Sequence, residues 1–473
     1  MRILAIDQGT TSTRAVVVEE DGARHLAAAI QHRQIYPRPG WVEHDAEELI
    51  ANIRACIAAA GAEIAAVGLA NQGESCLAWH RETGEALGPV IVWQDERTAH
   101  VTDRLRAEGG EALTFERAGL PLDPYFSASK LAWLLDYLDG ARRLAAAGNL
   151  CLGTTDAFFR HRFTGRFETD VATASRTSLM NLETCAWDQD LCALFGVPLE
   201  CLPVLTPTAG ALGEVSGLPL TASIVDQQAA LRGHGCAAPG EAKITFGTGA
   251  FVLAVAGPET PPAGCGALPT IAWQRAGDRP TYALDGGLHA AAAALNWARG
   301  LGLFSEFGEI NAFDRPPAIS RGVVFVPALA GLACPHWDRG AKGAWLGMGL
   351  DTDRRDLVQA VLEGVAFRTA EVLRAMESVC EIRAPVSIDG GMTANPWFCQ
   401  FLADCIGRDV AVSVDPELTV MGTAALAAEG AGLPFAPVRE ARIIAPRPQP
   451  DAWVSAFTSA REHIQGYAAE AGG

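Results

Sequence analysis

The sequence predicts an α/β protein of two similar domains facing each other across a cleft, and three observations carry that prediction. An apolar run over residues 2–6 stops at Asp7, turns through Gly9 and a set of hydroxyl residues, and resumes at 15–18, which reads as a β-hairpin. The unit recurs in the second half, where an apolar run ends at Phe246, turns through Gly247, Thr248 and Gly249, and resumes from Ala250. The chain is also long, 473 residues of which 49% are hydrophobic, enough for two or more cores.

Each hairpin tip offers backbone N–H groups and small hydroxyls, and the first adds the Asp7 carboxylate and the Arg14 guanidinium. Such a tip suits a nucleotide polyphosphate, because the donors hold phosphate oxygens and Asp7 can hold Mg2+ through water. One such turn alone could be an ordinary tight turn; the pair makes that reading weak. The chain has no G-x-x-x-x-G-K-[ST], which excludes a P-loop, and no G-x-G-x-x-G after a strand, which leaves a dinucleotide fold without support.

The remaining elements follow in chain order. A third strand is expected over 26–30, and a helix over 45–60 with Asp45 as N-cap and Glu48 as its capping-box partner. A buried strand over 64–70 ends at Asn71-Gln72-Gly73-Glu74. A helix running to Tyr137 is capped by Ser127 or Ser129. A strand over 222–225 ends at Asp226-Gln227-Gln228, and the breaker-rich stretch 233–240 marks the domain boundary, giving domains 1–235 and 236–473 that can hinge there. Beyond it come helices near 290–299, 356–380, from about 395, and 453–469, with strands at 323–326 and 386–388.

Composition narrows the function classes. A net charge of −18 argues against nucleic acid and anionic membranes as partners. No run of 18 apolar residues is present, and the N-terminus lacks the pattern of a signal peptide, so the expected location is the cytoplasm. The 12 cysteines show no C-x-x-C and no ligand spacing, and read as reduced packing residues. No H-E-x-x-H or histidine cluster suggests zinc.

The strand order β-β-β-α-β resembles the ribonuclease H-like module of sugar kinases, actin and Hsp70. More specific blocks resemble the FGGY carbohydrate kinases, and within them most of all the glycerol kinases, over nearly the whole chain. These blocks are Asp7 to Arg14, Gly40 to Asp45, Ile91 to Ala99, Gly119 to Trp133, Gly343 to Met348 with Asp356 to Glu363, and Asp389 to Asn395. The resemblance implies two ribonuclease H-like (actin-like ATPase) domains with ATP and a small polyol or sugar meeting in the cleft. A homodimer stays open. By motif, Asp226 is the general base and Gln227 sits beside it against the substrate. Gly73, Glu74, Trp93, Tyr125 and Phe251 line the polyol site. Thr10, Thr11, Ser12, Arg14 and Thr248 hold phosphates, Asp7 the magnesium, and Ala292, Asn296, Gly391 and Asn395 the adenosine side.

Each residue has a plainer role to weigh against this. Asp226 could be a helix N-cap, Trp93 and Tyr125 could be core, Glu74 a solvated loop charge, and Asp389 to Gly391 a simple turn. One departure stands out: glycerol kinases typically carry Arg where this chain has Gly73, and that Arg bonds glycerol hydroxyls. Losing it removes up to five donors and opens volume. Together with His289, in a segment often aromatic or apolar in the family, it points to a four- or five-carbon polyol or ketopentose as the alternative to glycerol. A protein-binding ATPase of the actin or Hsp70 kind is disfavoured by the small-molecule set Glu74, Trp93, Tyr125 and Asp226. A catalytically dead regulator is disfavoured by the intact Asp7, Thr10 and Asp226.

Overall fold

The computed structural model describes residues 1–435 and 440–471. Its first sheet has six strands in the order Glu214–Val215, Leu218–Val225, Ala66–Asn71, Arg2–Gln8, Ser12–Glu19, Arg24–Gln31. Arg2–Gln8 and Ser12–Glu19 form the first hairpin, antiparallel from Arg2 opposite Glu19 to Gln8 opposite Thr13. The Ala66–Asn71 strand is parallel to both of its neighbours and buried at every residue, as a strand covered on both faces must be. The second sheet repeats this plan: Ala242–Phe246 and Ala250–Gly257 make the second hairpin, with Val386–Gly390 and then Val410–Ser413 parallel on one side and Thr281–Leu288 antiparallel on the other.

The parallel register places the site. Asp7 pairs with Ala70, Gln8 with Asn71, and Val225 with Asn71. Three strands thus end on one edge, and the turns that follow carry the hairpin tip, Gly73-Glu74, and Asp226. Ligands of open α/β sheets bind outside such carboxyl ends.

Several helices follow the sequence closely. Ala46–Ala59 is capped by Asp45, whose carboxylate accepts from the N–H groups of Glu47 and Glu48. Glu48 does not close a capping box; its carboxylate takes the Arg33 guanidinium, a charged partner that outcompetes a backbone N–H. Ser127–Tyr137 starts after Phe126 without a side-chain cap. Ser127 Oγ instead donates to Glu74 O, and Ser129 Oγ bonds Thr98 Oγ1, so both serines anchor loops. The Arg354–Glu377 helix has a full Asp353/Asp356 capping box and lies almost wholly in the second core. Among the described residues, no helix is long and apolar enough to cross a membrane.

The last third of the chain is not confined to the second sheet. Leu418–Gly430, rich in small residues, packs across the first sheet and along the helix Asp226–Gly233. The two helix backbones touch: a Cβ on Gly422 would lie 1.7 Å from Ala229 O, and one on Gly233 1.9 Å from Leu418 O. Gly422→Ala should therefore lower stability by about 2 kcal/mol or more. Urea unfolding followed by tryptophan fluorescence measures it, and a change under about 0.5 kcal/mol would refute the contact.

Candidate active site

Between the two sheets lies a cavity of about 160 Å3 lined by Thr10, Gly73, Glu74, Trp93, Tyr125, Arg176, Val225, Asp226, Gln227, Gln228, Phe251, Leu253 and Asp285. Its size suits one small molecule and falls well short of the ~300–1,000 Å3 of drug-sized pockets. Every residue expected at the polyol site reaches it.

Asp226 is the first residue of its helix; Val225 holds the N-cap position, so the capping role does not apply. The Asp226 Oδ1 accepts from the Gln227 N–H at 2.7 Å. Burial pushes its carboxyl up to about 7, and the carboxylates of Asp7 and Glu74 push the same way. A base poised near neutrality is well matched to removing a proton from a hydroxyl. Gln227 is oriented by a buried cation that sequence reasoning missed: Lys243 Nζ donates to Gln227 Oε1 at 2.7 Å and to Thr245 Oγ1 at 3.0 Å. Lys243 is fully buried, and burial lowers its pKa.

Glu74 is buried, not solvated, and has φ +56°, a conformation that non-glycine residues adopt at a cost and mainly where function holds them. Arg176 Nε donates to Glu74 Oε1 at 2.7 Å, and Arg176 Nη2 lies 2.7 Å from Asp285 Oδ2. Arg176 sits just beyond the short helix Val171–Ala174, capped by Asp170. Asp285 and Leu253 face each other across Thr281–Leu288 and Ala250–Gly257, and Phe251 stands two residues before Leu253 on the same face. Neither Arg176 nor Asp285 lies in a recognised motif. The available signal was a lone charge within a stretch of apolar and small residues, which folding buries only with a partner.

The aromatic wall is tied to the turn of the first hairpin. Trp93 and Tyr125 pack edge to face at 5.7 Å, and Trp93 Nε1 donates to Thr10 Oγ1 at 3.1 Å. The turn itself is closed by Gly9 N–H to Ser12 O at 3.0 Å, with Thr11 exposed at its tip. Arg14 is paired with Glu417, at the start of the Leu418–Gly430 helix. Burial pushes Asp7 up to about 6, with Arg14 opposing, and its Oδ1 is buried without a hydrogen-bond partner. An orphaned carboxylate oxygen beside a turn of backbone N–H groups and hydroxyls fits a cation such as Mg2+.

The second hairpin tip meets the helix Ala292–Gly300. Thr248 O accepts from the Ala291 and Ala293 N–H groups, and Ala292 N–H donates to Gly247 O. Thr248 and Ala292 are therefore neighbours, and Asn296 lies exposed one turn further along. Gly391 is exposed just past Val386–Gly390. Gly390 must be glycine, since its φ is +94° and a Cβ would lie 2.3 Å from Phe246 O. The Asn395 side chain is already engaged: Oδ1 accepts from Phe398 N–H and Nδ2 donates to Ile310 O, which fixes the start of Pro396–Ile406.

The volume expected from Gly73 is not open. A Cβ at Gly73 would lie 2.7 Å from Val225 Cγ2, so the valine side chain occupies that space. His289 lies outside the cavity and bonds Ala330 O, so it does not reshape the pocket. The grounds for a longer acceptor therefore fall away.

Comparisons agree with this geometry. The FGGY family of carbohydrate kinases matches through its N-terminal domain over residues 2–225 and its C-terminal domain over 242–431. A glycerol kinase of Citrifermentans bemidjiense is 44% identical over 448 residues, 91% of this chain and 90% of that one. One from Alkalilimnicola ehrlichii is 45% identical over 452 residues, with 91% and 90% covered. The crystal structure of Plasmodium falciparum glycerol kinase with ADP superposes with a TM-score of 0.90 at 29% identity, covering 98% of each chain. With its N-terminal and C-terminal domains both matched over most of its length, the chain belongs to the FGGY family of carbohydrate kinases.

Proposed function

We propose that this chain transfers the γ-phosphoryl group of ATP to a terminal hydroxyl of glycerol, with Mg2+ as the accompanying cation. One observation carries the reading: Asp226, the acceptor walls Trp93, Tyr125 and Phe251, and Thr10 of the phosphate turn all line one small cavity. Acceptor and phosphate turn are thus within one enclosure, which is what in-line transfer requires. The relatives named above add support for glycerol as acceptor.

Asp226 takes the hydroxyl proton as the acceptor oxygen forms its bond to the γ-phosphorus and the bond to the ADP oxygen breaks. Glu74 and Gln227 orient the acceptor hydroxyls, and the aromatic faces pack against its carbon side. Thr10, Thr11, Ser12 and Thr248 donate to phosphate oxygens, and Gly391, Ala292 and Asn296 border the adenosine. When bound, Mg2+ neutralises phosphate charge; Asp7 would hold it through water. The lobes 1–235 and 236–473 would close around both ligands and exclude water, with the Leu418–Gly430 helix moving with the first lobe. All 12 cysteines are free thiols, which supports a reducing compartment, the cytoplasm.

Three outcomes test this. Asp226→Asn should bind ATP normally and lose about 100-fold or more in kcat, because an amide cannot accept the proton; activity within a few fold of wild type would remove Asp226 as base. Wild-type kcat/KM for the acceptor should fall tenfold per pH unit below about 7, since Asp226 works only when deprotonated and its carboxyl sits near 7. A profile flat from pH 5 to 8 would contradict that. Thr248→Val should raise KM for ATP by more than it raises KM for glycerol, and steady-state kinetics showing equal effects would count against a phosphate role for this hydroxyl.

A further inference from the structure

We propose that Arg176 contacts the acceptor directly: its Nη1 donates to a glycerol hydroxyl and supplies the guanidinium contact that Gly73 cannot. The inference rests on the acceptor proposed above and adds a specificity-determining residue to it.

Arg176 is 3% exposed and lines the cavity. Two of its three nitrogens are committed, Nε to Glu74 Oε1 and Nη2 to Asp285 Oδ2, each at 2.7 Å. The third, Nη1, is buried and has no hydrogen-bond partner. A guanidinium is a planar fork of five donors, so fixing two arms fixes the direction of the third. Against the pull of burial, Asp285 and Glu74 hold the Arg176 pKa above the ordinary guanidinium value, so the group stays charged. A buried charged donor left without a partner is costly, so Nη1 calls for a partner that the unliganded chain does not supply. The Phe126 ring lies 5.4 Å from Arg176 Cζ and packs the fork from the side.

The environment says what that ligand group is. The cavity that Arg176 lines already holds the carboxylates of Glu74, Asp226 and Asp285. Another anion there would be repelled, whereas a neutral hydroxyl can accept from Nη1 and donate to a carboxylate at once. Val225 Cγ2 fills the space beside Gly73, which limits how much carbon the same hydroxyl can carry. The acceptor is thus recognised by a guanidinium entering from the 170s turn, not from the end of the Ala66–Asn71 strand.

The test compares wild type and Arg176→Lys on glycerol, propane-1,2-diol and propane-1,3-diol, each diol lacking one hydroxyl. Lysine keeps the charge and loses the fork. With glycerol, kcat/KM should fall tenfold or more and KM for ATP should stay within twofold. With the diol that lacks the hydroxyl held by Nη1, the loss should shrink to threefold or less. Equal losses on all three acceptors, or no loss, would overturn the contact, because a merely structural role lowers all three alike. Wild-type enzyme that ignores glycerol would overturn the proposed acceptor itself, and this inference with it. If Arg176→Lys does not fold, a crystal structure of the wild-type enzyme with glycerol decides: Nη1 within about 3.2 Å of a glycerol oxygen supports the contact, and any other Nη1 partner overturns it.

Discussion

The cavity depends on a buried imbalance of charge. Asp7, Glu74, Asp226 and Asp285 gather at the junction of the two sheets, with Arg176, Lys243 and Lys130 as buried cations near them. Carboxylates cannot be desolvated for nothing, and the fold answers by pairing. Glu74 and Asp285 share one guanidinium, which ties a first-sheet loop to a second-sheet strand. Burial raises all four carboxyls, Asp7 to about 6 and Asp226 to about 7, with Arg14 and Lys243 opposing those two and Arg176 opposing the shift of Glu74 and Asp285.

Backbone topology delivers these groups before any side chain is chosen. Parallel pairing of three strands forces Asp7, Glu74 and Asp226 to one edge although they lie far apart in the chain. The second sheet contributes differently, from the middle of two antiparallel strands, where Phe251, Leu253 and Asp285 face inward. One wall is thus made of strand ends and loops and can adapt. The other is made of paired strands and is stiff.

Much of this was legible in the sequence, and the reasons differ by residue. The hairpins, their repetition and the placing of Asp226 at a strand end are local patterns, in which a strand period ends at a glycine, hydroxyl or acid; the base role proposed for Asp226 came through resemblance. Trp93, Tyr125, Phe251 and Asn395 were legible only through resemblance, and Asn395 proves to be occupied with its own helix. Arg176 and Asp285 escaped because a buried ion pair is a relation between distant segments and leaves no spacing in either. Gly73 misled for the same reason: a glycine announces a missing side chain, and only the fold shows that Val225 stands in the gap. The Leu418–Gly430 helix carries its evidence in composition, since small residues on every face mean close neighbours on every face, but not in which sheet they belong to.

The hydrogen bond from the Trp93 indole to Thr10 Oγ1 joins the aromatic wall of the cavity to the first hairpin turn through one hydroxyl. A hydroxyl that accepts from an indole is polarised toward donating, so it can serve a phosphate oxygen without giving up the tryptophan. Each ligand would then tighten the hold on the other, and thermodynamic linkage requires that the gain be reciprocal. On the proposed assignment, the turn and the wall, already joined before either ligand arrives, would pass the occupancy of one on to the other.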